Sequence, residues 1–202
     1  MRKIFILFIL LAINTCFIYS QIGVNAGLNL SSVRSSSDAQ KCWMPGFHIG
    51  TSYDVKLYRN LYLQPQVQLS YEPLKNTYDY YREEMHHHSE ILEKGWYLNI
   101  PVLISYRIPL HNSHYLSLGL GGYFSVGLFG DKDMNQTIEG KYEELSGTLF
   151  SDRIRDDHGL SARISYQINR YIISTQMKYG LPGRAFFTDK TMTWMMSFGY
   201  QL

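Results

Sequence analysis

Cysteine, proline and charge imbalance are all scarce in this chain, and each scarcity excludes something. Of 202 residues only 2 are cysteine and 6 are proline. Cys16 lies inside the apolar run at the N-terminus, so removal of that run leaves Cys42 alone and no intramolecular disulfide to staple the fold. Lys+Arg number 19 against 17 Asp+Glu, a net charge of +2, which gives no electrostatic reason to expect nucleic acid as a partner. Beyond residue 20 no segment approaches the ~18 consecutive apolar residues of a membrane helix.

The N-terminus is different. Arg2 and Lys3 precede an apolar run from Ile4 to Tyr19, followed by the small residue Ser20. A basic start, a short apolar stretch and a small residue describe a secretory signal peptide over 1–20, leaving 21–202 as one mature domain. The run is short for an uncleaved membrane anchor, which needs ~20 apolar residues. Lipoprotein processing at Cys16 is disfavoured because Ile13-Asn14-Thr15 lacks a small residue just before the cysteine.

What the chain has in abundance is tyrosine. With Tyr 17, Phe 10 and Trp 3, aromatics make up 15% of the residues. Aromatic residues suit strands, and Tyr and Trp suit membrane–water interfaces. The stretch Gly95–Pro109 shows why both matter. Trp96, Leu98, Ile100, Val102, Ile104, Tyr106 and Ile108 alternate with Tyr97, Asn99, Pro101, Leu103, Ser105 and Arg107. A period of two is a β-strand with one apolar face. The strand is long enough to cross an outer membrane, for which a tilted strand needs ~9–11 residues.

The same alternation recurs from Gln21, over Gly46–Val55, Leu61–Tyr71, Tyr115–Leu128, His158–Ile168 and Tyr171–Tyr179, and from Met192 to the end. Pro65 cannot donate to a ladder, so a bulge or local break is expected there. The intervening stretches alternate long and short. The long ones, near 32–45, 72–94 and 129–157, are polar and aperiodic and read as loops, as does 181–191; within 129–157 the Ile138–Leu145 portion suits a helical turn or an extra hairpin. The short ones include Lys56–Asn60, Pro109–His114 and the tight turn Asn169-Arg170. The expected fold is therefore all-β: an eight-stranded antiparallel up-and-down transmembrane β-barrel with short periplasmic turns and longer outer loops. Closure is required because unpaired backbone groups in lipid cost several kcal/mol each.

A soluble lipocalin-like ligand-binding barrel has the same strand count with the greasy face turned inward. The polar face decides against it. That face is Gly, Ser, Asn and Gln with Asp54, Arg107, Arg163 and Lys178. Such a set is too poor in charge for a soluble exterior, but suits a packed polar interior in which Asp54 pairs with one of the basic residues. His48, Tyr62, Tyr97 and Tyr123 are expected to fill the same narrow lumen, with no room for a general diffusion pore.

The segments GVNAGLNLS at 23–31, PGFHIG at 45–50, LYLQPQVQLSY at 61–71, YLNIPVLISYRI at 97–108 and YLSLGLGGYFSVGLFG at 115–130 resemble the outer-membrane β-barrel proteins of Bacteroidota often called PorT-like or porin-family proteins. The resemblance implies a bacterial outer-membrane location and, through the PorT-like members, participation in a protein secretion assembly. The chain departs from the usual barrel ending, since Leu202 is last and Tyr200 stands two before it.

No catalytic, cofactor-binding or metal-ligating residue is assigned. His86-His87-His88, flanked by Glu83, Glu84 and Glu90, is the obvious metal candidate, but adjacent histidines in a loop do not preorganise a coordination sphere. A lipid-modifying enzyme on the outer rim would draw on His158 and Ser161; three apart on a strand, they face opposite sides, and no nucleophile motif accompanies them. The expectation is a non-enzymatic scaffold or binding protein. Its partners are outer-membrane lipid along the strands and proteins at the loops 32–45, 72–94 and 129–157.

Overall fold

A computed structural model of the chain describes residues 21–34, 42–82, 85–110, 113–138, 141–150, 156–181 and 190–202. The signal segment expected over 1–20 lies outside the described residues. Among the described residues nine strands form one antiparallel sheet: β1 (Gln21–Arg34), β2 (Met44–Tyr58), β3 (Leu61–Arg82), β4 (Met85–Pro109), β5 (His114–Ile138), β6 (Lys141–Thr148), β7 (Asp156–Ile168), β8 (Tyr171–Gly180) and β9 (Lys190–Gln201). Their order is β4-β3-β2-β1-β9-β8-β7-β5-β6, and a further pairing of β4 with β5 closes the ring. Eight strands make the barrel; β6 pairs only with the upper part of β5 and stands outside the ring.

The apolar face points out. Leu28 is 71% exposed, Leu120 65%, Met196 65% and Ile49 61%, whereas Asn29, Gln66, Asn99, Ser70 and Ser105 are buried at 2% or less. A lipocalin-like arrangement would reverse these values, so the greasy surface is the lipid-facing one. Aromatic groups border it at both ends. On the loop side Phe47, Tyr71, Trp96 and Phe129 touch in sequence, with ring centroids 5.4–5.8 Å apart. On the turn side Tyr171 packs on Phe198 and Tyr200 at 5.9 and 5.5 Å, with Tyr58 and Tyr106 also exposed. Along β4 the span from Trp96 to Tyr106 is the length a tilted strand needs to cross the bilayer core, ~9–11 residues.

The turn side is tight. Arg59, Ser113 and Asn169 each adopt positive φ, 43°, 67° and 52°, one in each short connection. The amide of Asn169 donates to the carbonyl of Ser113 at 3.2 Å, tying one turn to the next.

Several expected boundaries move. The segment 72–94, read as a loop, is a hairpin: β3 continues to Arg82 and β4 begins at Met85, paired in unbroken register from Glu72↔Gly95 to Arg82↔Met85. The segment 129–157 likewise starts as strand, with β5 running to Ile138 and turning into β6, so the portion near Ile138–Leu145 is an extra hairpin and not a helical turn. In 32–45, β1 extends to Arg34 and β2 begins at Met44. These segments carry no lipid-facing side, so they keep strand geometry without the apolar contrast that marks a membrane strand. Of the bulge or local break expected at Pro65, the break is what occurs. Pairing skips Tyr53–Asp54 opposite Gln64–Pro65 and Gln66–Val67 opposite Ile100–Pro101, but the register is the same on both sides of each gap. A lost N–H opens the ladder without adding a residue. The shifts fall instead at Lys56/Tyr58 and at Trp96/Tyr97. At the second, Leu128 is the extra residue, and both Leu128 and Phe129 come to face outward.

Candidate functional site

The lumen is filled by layers of side chains. Nearest the turns, Asp54 on β2 accepts hydrogen bonds from Arg107 Nη2 on β4 at 2.6 Å, from Gln64 Nε2 on β3 at 2.7 Å and from Gln201 Nε2 on β9 at 3.3 Å. Gln167 on β7 donates to Gln201 in turn. The Arg107 guanidinium also lies over the Tyr62 ring, 4.3 Å from its centroid. Asp54 thus meets one of the three basic residues expected for it, and the pair is part of a belt that reaches round most of the barrel.

Deeper in, Leu103 and Met195 are fully buried and apolar. Beside them Arg163 donates to Ser174 Oγ at 3.2 Å, Gln176 to Ser161 Oγ at 2.9 Å, and a ring nitrogen of His48 lies 2.8 Å from Ser197 Oγ. The next layer is a strut. Lys178 on β8 and Glu72 on β3 stand on opposite sides of the ring, and Lys178 Nζ reaches Glu72 Oε1 at 2.6 Å. Lys178 also donates to Asn99 Oδ1 at 2.9 Å, while Asn99 Nδ2 and Thr193 Oγ1 donate to the two Glu72 oxygens at 3.1 Å; Ser70 Oγ completes the set. The carboxylate and the ammonium are therefore both compensated, which burial demands.

Above the strut, Tyr123 and Thr191 both donate to Asp157 Oδ2, at 2.9 and 2.8 Å. An apolar cap follows. Phe150 meets Tyr97 edge-on at 5.8 Å, with Leu149 and Leu74 buried beside it. Phe150 occupies the space a Cβ at Gly127 would need, which explains the glycine.

Past the aromatic border the upper parts of β3, β4 and β5, with β6, form a sheet standing off the barrel. Lys75–Glu90 at 2.9 Å and Lys94–Asp133 at 3.0 Å link its strands, each hydrogen bond holding the lysine above the ordinary ammonium pKa. Leu128, Phe129 and Leu145 remain exposed.

The sequence candidates separate clearly. His158 is exposed on the outer face and Ser161 is buried in the lumen, so the two form no pair. The backbone of 86–88 runs in β4, while the side chains of His86, His87 and His88, together with Glu83 and Glu84, lie outside the described residues. Among the described residues no group of His, Cys, Asp and Glu is placed to hold a metal ion. Sequence reading missed Glu72, Asp157 and Phe150, all placed in presumed loops. The parity of Glu72, which continues the inward series Gln64, Gln66, Gln68 and Ser70, is the signal that finds it.

A family model for the outer membrane protein beta-barrel domain matches residues 13–182. The chain belongs to this family. The barrel therefore resides in the bacterial outer membrane, with its short turns on the periplasmic side. No curated relative matches the chain. Among solved structures, Ail, the attachment invasion locus protein of Yersinia pestis, aligns at 14% identity and a TM-score of 0.44 over 91% of this chain and 99% of its own. OprG from Pseudomonas aeruginosa aligns at 9% identity and a TM-score of 0.46 over 91% and 96%. Neisserial surface protein A aligns at 13% identity and a TM-score of 0.39 over 90% and 96%.

Proposed function

We propose that this protein is a non-enzymatic outer-membrane scaffold whose closed barrel holds the β3–β6 outer sheet where partners can reach it. The observation that carries the reading is a contrast within one molecule. The lumen is spanned by the Lys178–Glu72 strut and capped by Phe150, while the strands beyond the aromatic border extend into a sheet that plays no part in closing the barrel. An eight-stranded barrel has room for its own side chains and little else, so function is invested outside the lumen. Residues 1–20 serve as the secretory signal in this reading. The PorT-like character of the segments at 61–71 and 97–108 favours a protein secretion assembly as the setting.

The test is a pair of grafts in the native host. The β3–β4 hairpin is cut back to Asn76 and Ile91 and the β5–β6 hairpin to Asp131 and Thr148, each closed by a short Asn-Gly turn, and each variant is used to complement a deletion strain. The variants should insert into the outer membrane at normal levels and fail to restore whatever surface or secretion defect the deletion causes. Full complementation by the double graft would remove the outer sheet from the function.

A further inference from the structure

The periplasmic mouth of the barrel is a cup of about 540 Å³ between the short turns, within the range of small-ligand sites, about 300–1,000 Å³. Its floor is the Asp54 belt, where the carboxylate is already matched by Arg107 and by amide donors. Its rim carries Lys56, at the end of β2, and Arg170, in the β7–β8 turn. Among the described residues, neither has a carboxylate within ion-pair distance; Arg170 donates only to the Tyr200 hydroxyl, at 3.3 Å. Arg107 is 8% exposed, and its Nε lies buried without a partner although Asp54 holds the other end of the guanidinium. Tyr62, Tyr115 and Gln21 line the wall between floor and rim. Positive charge and hydrogen-bond donors are thus in surplus in a concave polar site facing the periplasm.

We infer that this cup receives the acidic end of an extended peptide from a periplasmic protein. Its carboxylates sit against Lys56 and Arg170, and its backbone amides sit against the tyrosine and glutamine side chains. A lone inorganic anion would fill a small part of the volume. A lipid headgroup is held to the outward face by its acyl chains, whereas the cup opens on the barrel axis. The inference rests on nothing in the outer sheet, so it stands or falls separately from the scaffold reading.

The probe is fluorescein-labelled hexaglutamate, with labelled hexalysine as its control. Anisotropy is read on the detergent-extracted full-length protein from about 50 to about 300 mM salt. Hexaglutamate should bind saturably and weaken as salt rises, and hexalysine should not bind. The double variant Lys56→Gln/Arg170→Gln should weaken hexaglutamate binding about tenfold or more. Lys94→Gln, which removes a positive charge on the opposite side of the membrane, should leave the affinity within about twofold. Retention of the boiling-dependent gel shift verifies that each variant is folded. The inference is overturned if hexaglutamate does not saturate or if the double variant binds it as well as the parent protein. It is equally overturned if millimolar inorganic phosphate or phosphatidylglycerol micelles displace the probe completely, since the site then recognises bare anions or headgroups.

Discussion

Replacing Lys178 by methionine removes one end of the strut and leaves Glu72 in the lumen. Side-chain exposure is 4% for Lys178 and 10% for Glu72, so water does little to rescue the stranded carboxylate. Breaking a buried pair by deleting one partner costs about 3–5 kcal/mol. Asn99, Ser70 and Thr193 continue to donate to Glu72, which places the expected loss near the bottom of that range, about 3 kcal/mol. With a urea slope of about 2 kcal/mol/M, the unfolding midpoint in lipid vesicles should fall by about 1.5 M. Adding Glu72→Gln removes the uncompensated charge and keeps an acceptor for Asn99. The double variant should therefore recover at least about 2 kcal/mol relative to the sum of the single losses. Tryptophan fluorescence through a urea series reads all four corners of the cycle. A Lys178→Met loss below about 1 kcal/mol, or strict additivity of the two substitutions, would refute the account of the strut as a matched, water-poor pair.

Other perturbations probe other layers. Ile104, 55% exposed in mid-strand between the aromatic borders, should cost about 2–4 kcal/mol in vesicle unfolding as Ile104→Lys, and a loss under about 1 kcal/mol would contradict a position at bilayer mid-depth. Wild-type protein in planar bilayers should show no steady large conductance; Phe150→Ala combined with Lys178→Met should raise the frequency of brief openings, and a large constant current from the wild type contradicts a filled lumen. Arg59, at φ 43° in its turn, should tolerate Arg59→Asn with a gain of up to about 1 kcal/mol, read as a higher urea midpoint, and a loss of similar size would show that its contact over the Tyr58 ring outweighs the backbone strain. Replacing His158 and Ser161 by alanine should leave the lipid A mass spectrum of the host unchanged, and an altered spectrum would revive a lipid-modifying activity.

The strands inside the bilayer were legible because lipid forces a contrast on them. Along 95–109, each residue expected on the apolar face from Ile100 to Ile108 is exposed or half-buried, and Pro101, Leu103, Ser105 and Arg107 are all buried. Small and amide-bearing residues on the other face, with only a few charges, were enough to say which face turned inward. The partner of Asp54 was narrowed to three residues, and packing selected Arg107. Outside the bilayer both faces of a strand meet water or protein, and the alternation loses its chemical label. Residues 72–94 therefore read as loop although Glu72, Leu74 and Asn76 keep the inward parity of β3 and are buried. The Trp96/Tyr97 shift was hidden for a related reason. Leu128 and Phe129 look like a simple break in alternation, and only the pairing of Trp96 with Phe129 and of Tyr97 with Gly127 shows a single extra residue.

A closed barrel with its apolar face toward lipid leaves a signature in electrophoretic mobility. Outer-membrane fractions extracted in mild detergent are run on a denaturing gel with and without boiling. The band should be membrane-associated and migrate differently until boiled, because the closed ladder and the lumen network survive the detergent. Recovery in the soluble periplasm, with a single mobility before and after boiling, would contradict such a barrel.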